Sequence, residues 1–263
     1  MGLTREFPES SIQRGMRSMV LYLILVFTVL TSIGSVAVAG LFLAFPEKTH
    51  RTLIPCLISY ASGTLLGTAF LGLIPHALAN RPASVCPTVV GGIVLFFFLE
   101  KLLLWRHCHG EECEVHAAAG PLIIVGDAFH NLVDGLIISA TFLTSVQLGV
   151  ATSLAIISHE IPQEVGDFAI LLHSGYSKSR AMLYNLLSSL ASLVGAVMAY
   201  FFLKEVQPVT PYLVALAASS FIYIATVDLI PELHRKSSLG AAIRQLTLML
   251  AGIGTVVLFH LEH

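Results

Sequence analysis

The stretch VGDAFHNLVDGLII, residues 125–138, sets Asp127, His130, Asn131 and Asp134 inside an otherwise apolar run. His130 and Asp134 are four residues apart and stack on one helical face, with Asp127 one turn earlier and Asn131 beside them. A second run, ISHEIPQEVGDFAILL at 157–172, repeats the pattern. There His159, Gln163 and Asp167 form one i, i+4, i+8 row, and Glu160 and Glu164 form the neighbouring one. Two apolar helices carrying so many metal-capable side chains need a reason, and the rest of the chain supplies it.

Of the 263 residues, 56% are hydrophobic and only 11% are charged, against about 25% in an ordinary soluble domain. With a mean hydropathy of +0.83, a chain of this length reads as an integral membrane protein. The net charge of -2 comes without a basic block, so nothing suggests nucleic acid as a partner. Eight apolar stretches reach the length of about 20 residues that a helix needs to cross a bilayer. They lie near 18–45, 53–79, 86–105, 121–143, 147–172, 179–203, 210–231 and 239–260. None alternates with the two-residue period of a transmembrane β-strand, so the expected fold is all-α. A polar tail, 1–17, precedes a single transmembrane domain, 18–263, whose first span reads as a retained helix rather than a signal peptide. Cys56 and Cys86 fall near span ends and read as small apolar residues.

Cytoplasmic connections collect Lys and Arg. Lys48, Arg51, Lys101, Arg106, Lys178, Arg180, Arg235, Lys236 and Arg244 fall on one side, nine in all. Arg5, Arg14, Arg17, Arg81 and Lys204, five in all, fall on the other. The excess predicts both termini outside the cytoplasm, although Arg14 and Arg17 beside the first span pull the other way. A short-looped chain of this kind fits a bacterial inner membrane or an internal eukaryotic membrane, and the first is the expectation.

The segments ASGTLLGTAFLGLIPHAL (61–78) and AASSFIYIATVDLIPELH (217–234) share a pattern. Ala61, Ala69, Leu73, Ile74 and Pro75 recur, at an offset of 156, as Ala217, Ala225, Leu229, Ile230 and Pro231. Five spans separate the two, so the matched helices cross the membrane in opposite directions. Inverted repeats are common in secondary transporters, with the substrate near the midplane where the repeats meet. Pairing spans one to three with six to eight leaves four and five at the centre, a 3+2+3 arrangement.

Charge at the bilayer centre costs at least about 2.5–3.5 kcal/mol per residue on insertion scales. The two central spans hold five carboxylates and no Lys or Arg. A divalent cation satisfies the carboxylates, and neutral imidazole completes a site of borderline softness. Pro162 removes a backbone donor and frees the Ser158 carbonyl, a local distortion of the kind found where helices line a cavity.

HNLVDG followed by HEIPQEVGDFAILLHSG resembles the paired signature of the ZIP (Zrt/Irt-like) family of zinc and iron transporters. It is closest to the branch whose fifth helix reads His-Glu-x-Pro-His-Glu-x-Gly-Asp, and ASGTLLGTAFLGLIPHAL and FIYIATVDLIPELH resemble that branch's second and seventh helices. The resemblance implies a binuclear metal centre and uptake of a divalent metal into the cytoplasm by alternating access, without organic cofactor or enzymatic activity. It puts His130, Asn131, Asp134, His159, Glu160, Gln163 and Glu164 in the ligand places, Zn2+ first among cargoes with Fe2+, Mn2+ and Cd2+ behind it, and a homodimer as the assembly. This sequence departs from the branch in three ways. Gln163 stands where an imidazole is usual, which weakens the preference for soft metals. Thr68 and Gly72 replace acidic and His residues, and span six offers Asn185, Ser188, Ser189 and Ser192 but no carboxylate.

Asp127 and Asp167 are lesser candidates on the same helices, and His76, Asp228, Glu232 and His173 at helix ends are candidates for vestibules on either face. The connection RHCHGEECEVHAAAG (106–120) carries His107, Cys108, His109, Cys113 and His116, a density that reads as metal-binding and, on the cytoplasmic side, as a place to receive or sense the cargo. The alternatives are a metal-dependent intramembrane hydrolase, suggested by HEIPQ, and a metal sensor. HEIPQ lacks the second His of a His-Glu-x-x-His site and has a proline inside it.

Overall fold

The structure, a computed structural model, describes residues 11–42, 44–80, 82–107, 115–203, 209–234 and 238–261. Among these residues it is all helix, with no strand. In chain order the rods are α1 (11–42), α2 (47–80), α3 (Pro82–His107), α4 (Val115–Thr144), α5 (Val146–His173), α6 (178–203), α7 (210–234) and α8 (Leu239–Leu261). The first helix begins at Ser11, so part of the expected polar tail is helical. Cys108, His109 and Cys113 lie outside the described residues, whereas His107 ends α3 and His116 falls in the first turn of α4.

Among the described residues, seven segments are long and apolar enough to cross a membrane: Arg17–Phe42, Lys48–Ala79, Ala83–Leu102, Ile123–Thr144, Lys178–Phe202, Thr210–His234 and Leu239–Leu258. The exception is α5. Its 28 residues are ample in length, but His159, Glu160, Gln163, Glu164 and Asp167 dilute its hydropathy. Protein covers His159, Glu160 and Glu164 instead, and leaves Gln163 and Asp167 half-buried. Fourteen residues of α5 are buried, among them His159, Glu160 and Glu164, and α5 packs against α1, α2, α4, α6 and α8.

Local chemistry fixes how α4, α5 and α6 follow one another. Only Ser145 separates α4 from α5. It is extended (φ -158°, ψ 151°), and its hydroxyl accepts the Leu148 N–H at 3.1 Å, capping α5. So short a connection makes α4 and α5 antiparallel neighbours and brings their polar midsections level. At the other end of α5, Gly175 takes a left-handed φ of 87°, with Gly175 N–H on the Leu172 carbonyl and Tyr176 N–H on the Leu171 carbonyl, both 3.1 Å. This is the Gly-terminated helix stop that few other residues adopt without strain.

Two wide π turns interrupt the matched helices, Thr68–Leu73 in α2 and Ile224–Leu229 in α7. Their first residues, and likewise their last, stand 156 positions apart, the offset of the sequence match. Ala61, Ala69, Ala217 and Ala225 are all fully buried. The packing also exchanges the two halves of the chain: α2 lies on α8 as α7 lies on α3, and α1 on α5 as α6 on α4.

Two of these contacts are backbone to backbone. A Cβ at Gly63 would strike the Met249 carbonyl, and one at Gly252 the Tyr60 carbonyl, so α2 and α8 touch at glycines. Tyr60 Oη and Thr255 Oγ1, 3.0 Å apart, add a hydrogen bond across the same seam. Gly135 against the Ser192 carbonyl and Gly195 against the Leu132 carbonyl join α4 to α6 in the same way. Small residues at helix crossings are how membrane helices gain close packing when lipid is as apolar as their side chains.

Candidate metal centre

The level midsections of α4 and α5 place four side chains around one point. His130 Nε2 lies 3.1 Å from His159 Nε2, 3.4 Å from Glu160 Oε1 and 3.7 Å from Asp134 Oδ2. His159 Nε2 lies 3.3 Å from Asp134 Oδ2 and 3.8 Å from Glu160 Oε1. A tetrahedral ion with ligands at 2.0–2.2 Å has edges of roughly 3.3–3.6 Å. Five of the six edges here, 3.1–3.8 Å, bracket that figure. Among the described residues this is the one group of three or more His, Cys, Asp or Glu side chains gathered closely enough to hold a metal ion.

Electrostatics point the same way. Asp134, His159 and Glu160 are each about 1% exposed. Both carboxylate oxygens of Asp134, Glu160 and Glu164, and Asp127 Oδ2, are buried without a hydrogen-bond partner. Leaving such groups unsatisfied is among the costliest things a protein interior can do. No Lys or Arg lies on α4 or α5 between Val115 and His173 to neutralise them. The donor set of two imidazoles and two carboxylates suits a divalent ion of borderline softness. His159 Nδ1 is 3.2 Å from the Ala155 carbonyl, one turn back. A ring N–H donated there leaves Nε2 with its lone pair toward the cluster, the usual outer support of a metal-binding imidazole.

The other three expected ligands stand outside the four-atom cluster. Asn131 Nδ2 donates to Asp127 Oδ1 at 2.9 Å, and Gln163 Nε2 donates to the same oxygen at 3.2 Å. Asp127 is thereby the hub that ties the amides of α4 and α5 together. Glu164 is fully buried beside α6, where Asn185 Nδ2 donates to its backbone carbonyl at 3.2 Å. Asp167 is half-buried one turn further on.

The outlying candidates separate. Asp228, in the π turn of α7, shares a cavity of about 220 Å3 with His130. Glu232 lines a different cavity with His50, Arg51 and Gln245. His76 is half-buried near the end of α2, and His173 is exposed at the end of α5. The cavity beside His130 also holds two residues that sequence reasoning passed over, Glu100 of α3 and Tyr223 of α7, joined by a hydrogen bond from the Tyr223 hydroxyl to Glu100 Oε2. The signal was present, a lone acidic residue inside the apolar run 86–105, but it stands next to Lys101 and away from the two helices that hold the other carboxylates.

A family model described as ZIP Zinc transporter matches residues 105–260, which hold both halves of the cluster. The chain belongs to the ZIP family. Among ZIP relatives, Zinc transporter zipt-7.2 of Caenorhabditis elegans is 31% identical over 276 residues, a match covering 81% of this chain and 60% of the relative. Zinc transporter ZIP13 of Pongo abelii is 35% identical over 222 residues, covering 78% of this chain and 66% of the relative. Zinc transporter SLC39A7 of Rattus norvegicus is 30% identical over 314 residues, covering 81% and 66%. The chain thus spans about 60–66% of the length of these ZIP proteins. ZIP membership sets aside the hydrolase reading. These relatives come from animals, so they lend nothing to a bacterial membrane.

Proposed function

We propose that this ZIP protein carries zinc across a membrane into the cytoplasm, with the ion held in transit by His130, Asp134, His159 and Glu160. The observation that supports this reading is the four-atom cluster itself: converging ligands at tetrahedral spacing, with carboxylate oxygens buried and unpartnered. Mixed imidazole and carboxylate ligation is exchangeable, as a cargo site needs to be, in a way that a cage of thiolates is not. In this reading Asp127, through its unpartnered Oδ2, and Glu164, both of whose carboxylate oxygens lack partners, hold a second ion beside the first and make the centre binuclear. Iron, manganese and cadmium are the further cargoes to test. α5 crosses the bilayer as an eighth span because its length, about 42 Å at 1.5 Å per residue, exceeds the hydrocarbon core and its polar face is turned inward. Eight spans put both termini on one side, and the excess of Lys and Arg on the opposite connections makes that side the outside.

The cavity beside His130 lies between α3, α4 and α7, toward the ends that flank the 106–120 connection. On the other side of the cluster, toward Ser145, the core residues Ile137, Ile138, Phe142, Leu148 and Ile156 are packed together. This pattern fits a state with the site open toward the cytoplasm and shut toward the outside. The glycine seam joins α2 to α8, so the two repeats are tied across one another and do not separate as bundles. We therefore assign alternating access to movement of α1, α4, α5 and α6 against α2, α3, α7 and α8.

Zinc influx into proteoliposomes tests the reading. The native chain is expected to carry zinc, and His159→Ala to fold normally and carry none. A native chain that binds zinc tightly and moves none would overturn transport in favour of a sensor. A cysteine crosslink between α2 and α5 that left flux intact would refute the assigned movement.

A further inference from the structure

The cavity beside His130 has a polar wall that the four-ligand cluster does not use. Glu100 comes to it from α3 and Ser220, Tyr223 and Asp228 from α7, while Gly126 and the ligand His130 of α4 line the same cavity. Around Glu100 the wall is apolar, with Phe96, Leu99 and Phe129 on the same cavity. Tyr223 is buried and is the last residue before the π turn that carries Asp228. Its hydroxyl donates to Glu100 Oε2. Gly67 stands 156 positions before Tyr223 in the matched helix and offers no side chain for such a bond, so the pair exists in one half of the molecule only.

A carboxylate on an apolar wall takes whichever partner reaches it. Here two draw on Glu100: the Tyr223 hydroxyl, which pins the carboxylate through Oε2, and a divalent cation leaving His130 through the cavity, which must turn the pinned group toward itself to bind it. A hydrogen bond to a charged acceptor shifts such an equilibrium by roughly tenfold or more. We infer that Tyr223 is a positioning residue that sets how fast the ion is released: by holding Glu100, it keeps that carboxylate from capturing the cation on its way out. The inference rests on the transport reading of the cluster. Tyr223 acts only through Glu100, and removing the hydroxyl while keeping the ring leaves Glu100 to the metal.

Four proteins decide it: the native chain, Tyr223→Phe, Glu100→Gln and the double variant. Each is measured for zinc influx in proteoliposomes and for zinc binding at equilibrium in detergent. In Tyr223→Phe, kcat and KM are expected to fall together by roughly tenfold, leaving kcat/KM near the native value, and zinc binding to tighten by a similar factor. In the Glu100→Gln background the same change is expected to do nothing, because the two residues form one unit. A Tyr223→Phe protein with native kcat and KM overturns the inference, as does an effect of equal size in both backgrounds. If the native chain moves no zinc, the transport reading fails instead, and the binding titrations still report whether Tyr223 and Glu100 are coupled toward the ion.

Discussion

Replacing His159 by alanine removes one corner of the tetrahedron and should cost about a hundredfold in zinc affinity. Four-ligand zinc sites bind with roughly 10–16 kcal/mol at neutral pH, or about 2.5–4 kcal/mol for each ligand. That corresponds to a weakening of between roughly 70- and 900-fold. The lower part of this range applies here. His159 is 1% exposed, and its removal opens room for a water molecule to take the fourth position. The three remaining donors keep their spacing, since His130 lies 3.4 Å from Glu160 and 3.7 Å from Asp134 without help from His159. Competition against a chelating indicator, in detergent, measures the change, with circular dichroism to confirm that the helices persist. A His159→Ala protein that stays folded and binds zinc within threefold of the native chain would refute the assignment. So would a larger loss from Gln163→Ala than from His159→Ala.

Gln163→Ala itself is expected to weaken zinc binding by less than tenfold, because Gln163 spends its amide on Asp127 and Asn131 still donates to the same oxygen. Gly135→Leu should destabilise the protein by at least about 1–3 kcal/mol, read as a drop in Tm, because the new side chain meets the Ser192 backbone, which cannot step aside. An unchanged Tm would mean that α4 and α6 are not in contact there. Zinc at a hundred times its dissociation constant should raise the stability of the native chain by about 2.7 kcal/mol, and that rise should be largely lost in Asp134→Asn. Scanning calorimetry or fluorescence melting in detergent, with and without chelator, distinguishes the two.

Much of this was legible in the residues. The match of Ala61, Ala69, Leu73, Ile74 and Pro75 with their counterparts 156 positions on pointed to a repeat, and the two π turns begin and end at that same offset. The i, i+4 pair His130 and Asp134, and the neighbours His159 and Glu160, were readable as ligands because helical periodicity puts them on faces a short connection turns toward each other. Periodicity does not rank them. Asn131 and Gln163 share those faces, yet their amides are drawn to Asp127, an outcome that depends on the rotation of α4 against α5 and on side-chain rotamers. Glu100 and Tyr223 are 123 positions apart, and nothing near either residue in the chain announces the other.

By itself the sequence determined that this is a helical membrane protein whose charged residues are concentrated on two apolar helices, because spans and periodicity are local properties of hydropathy and spacing. It also named the residue types from which a metal centre could be made. The tertiary structure alone decided which four of seven candidates converge, how α2 and α8 lock through their glycines, and which polar residues share a cavity with His130. Those facts depend on distances between atoms on different helices, and such distances exist only once the helices have packed.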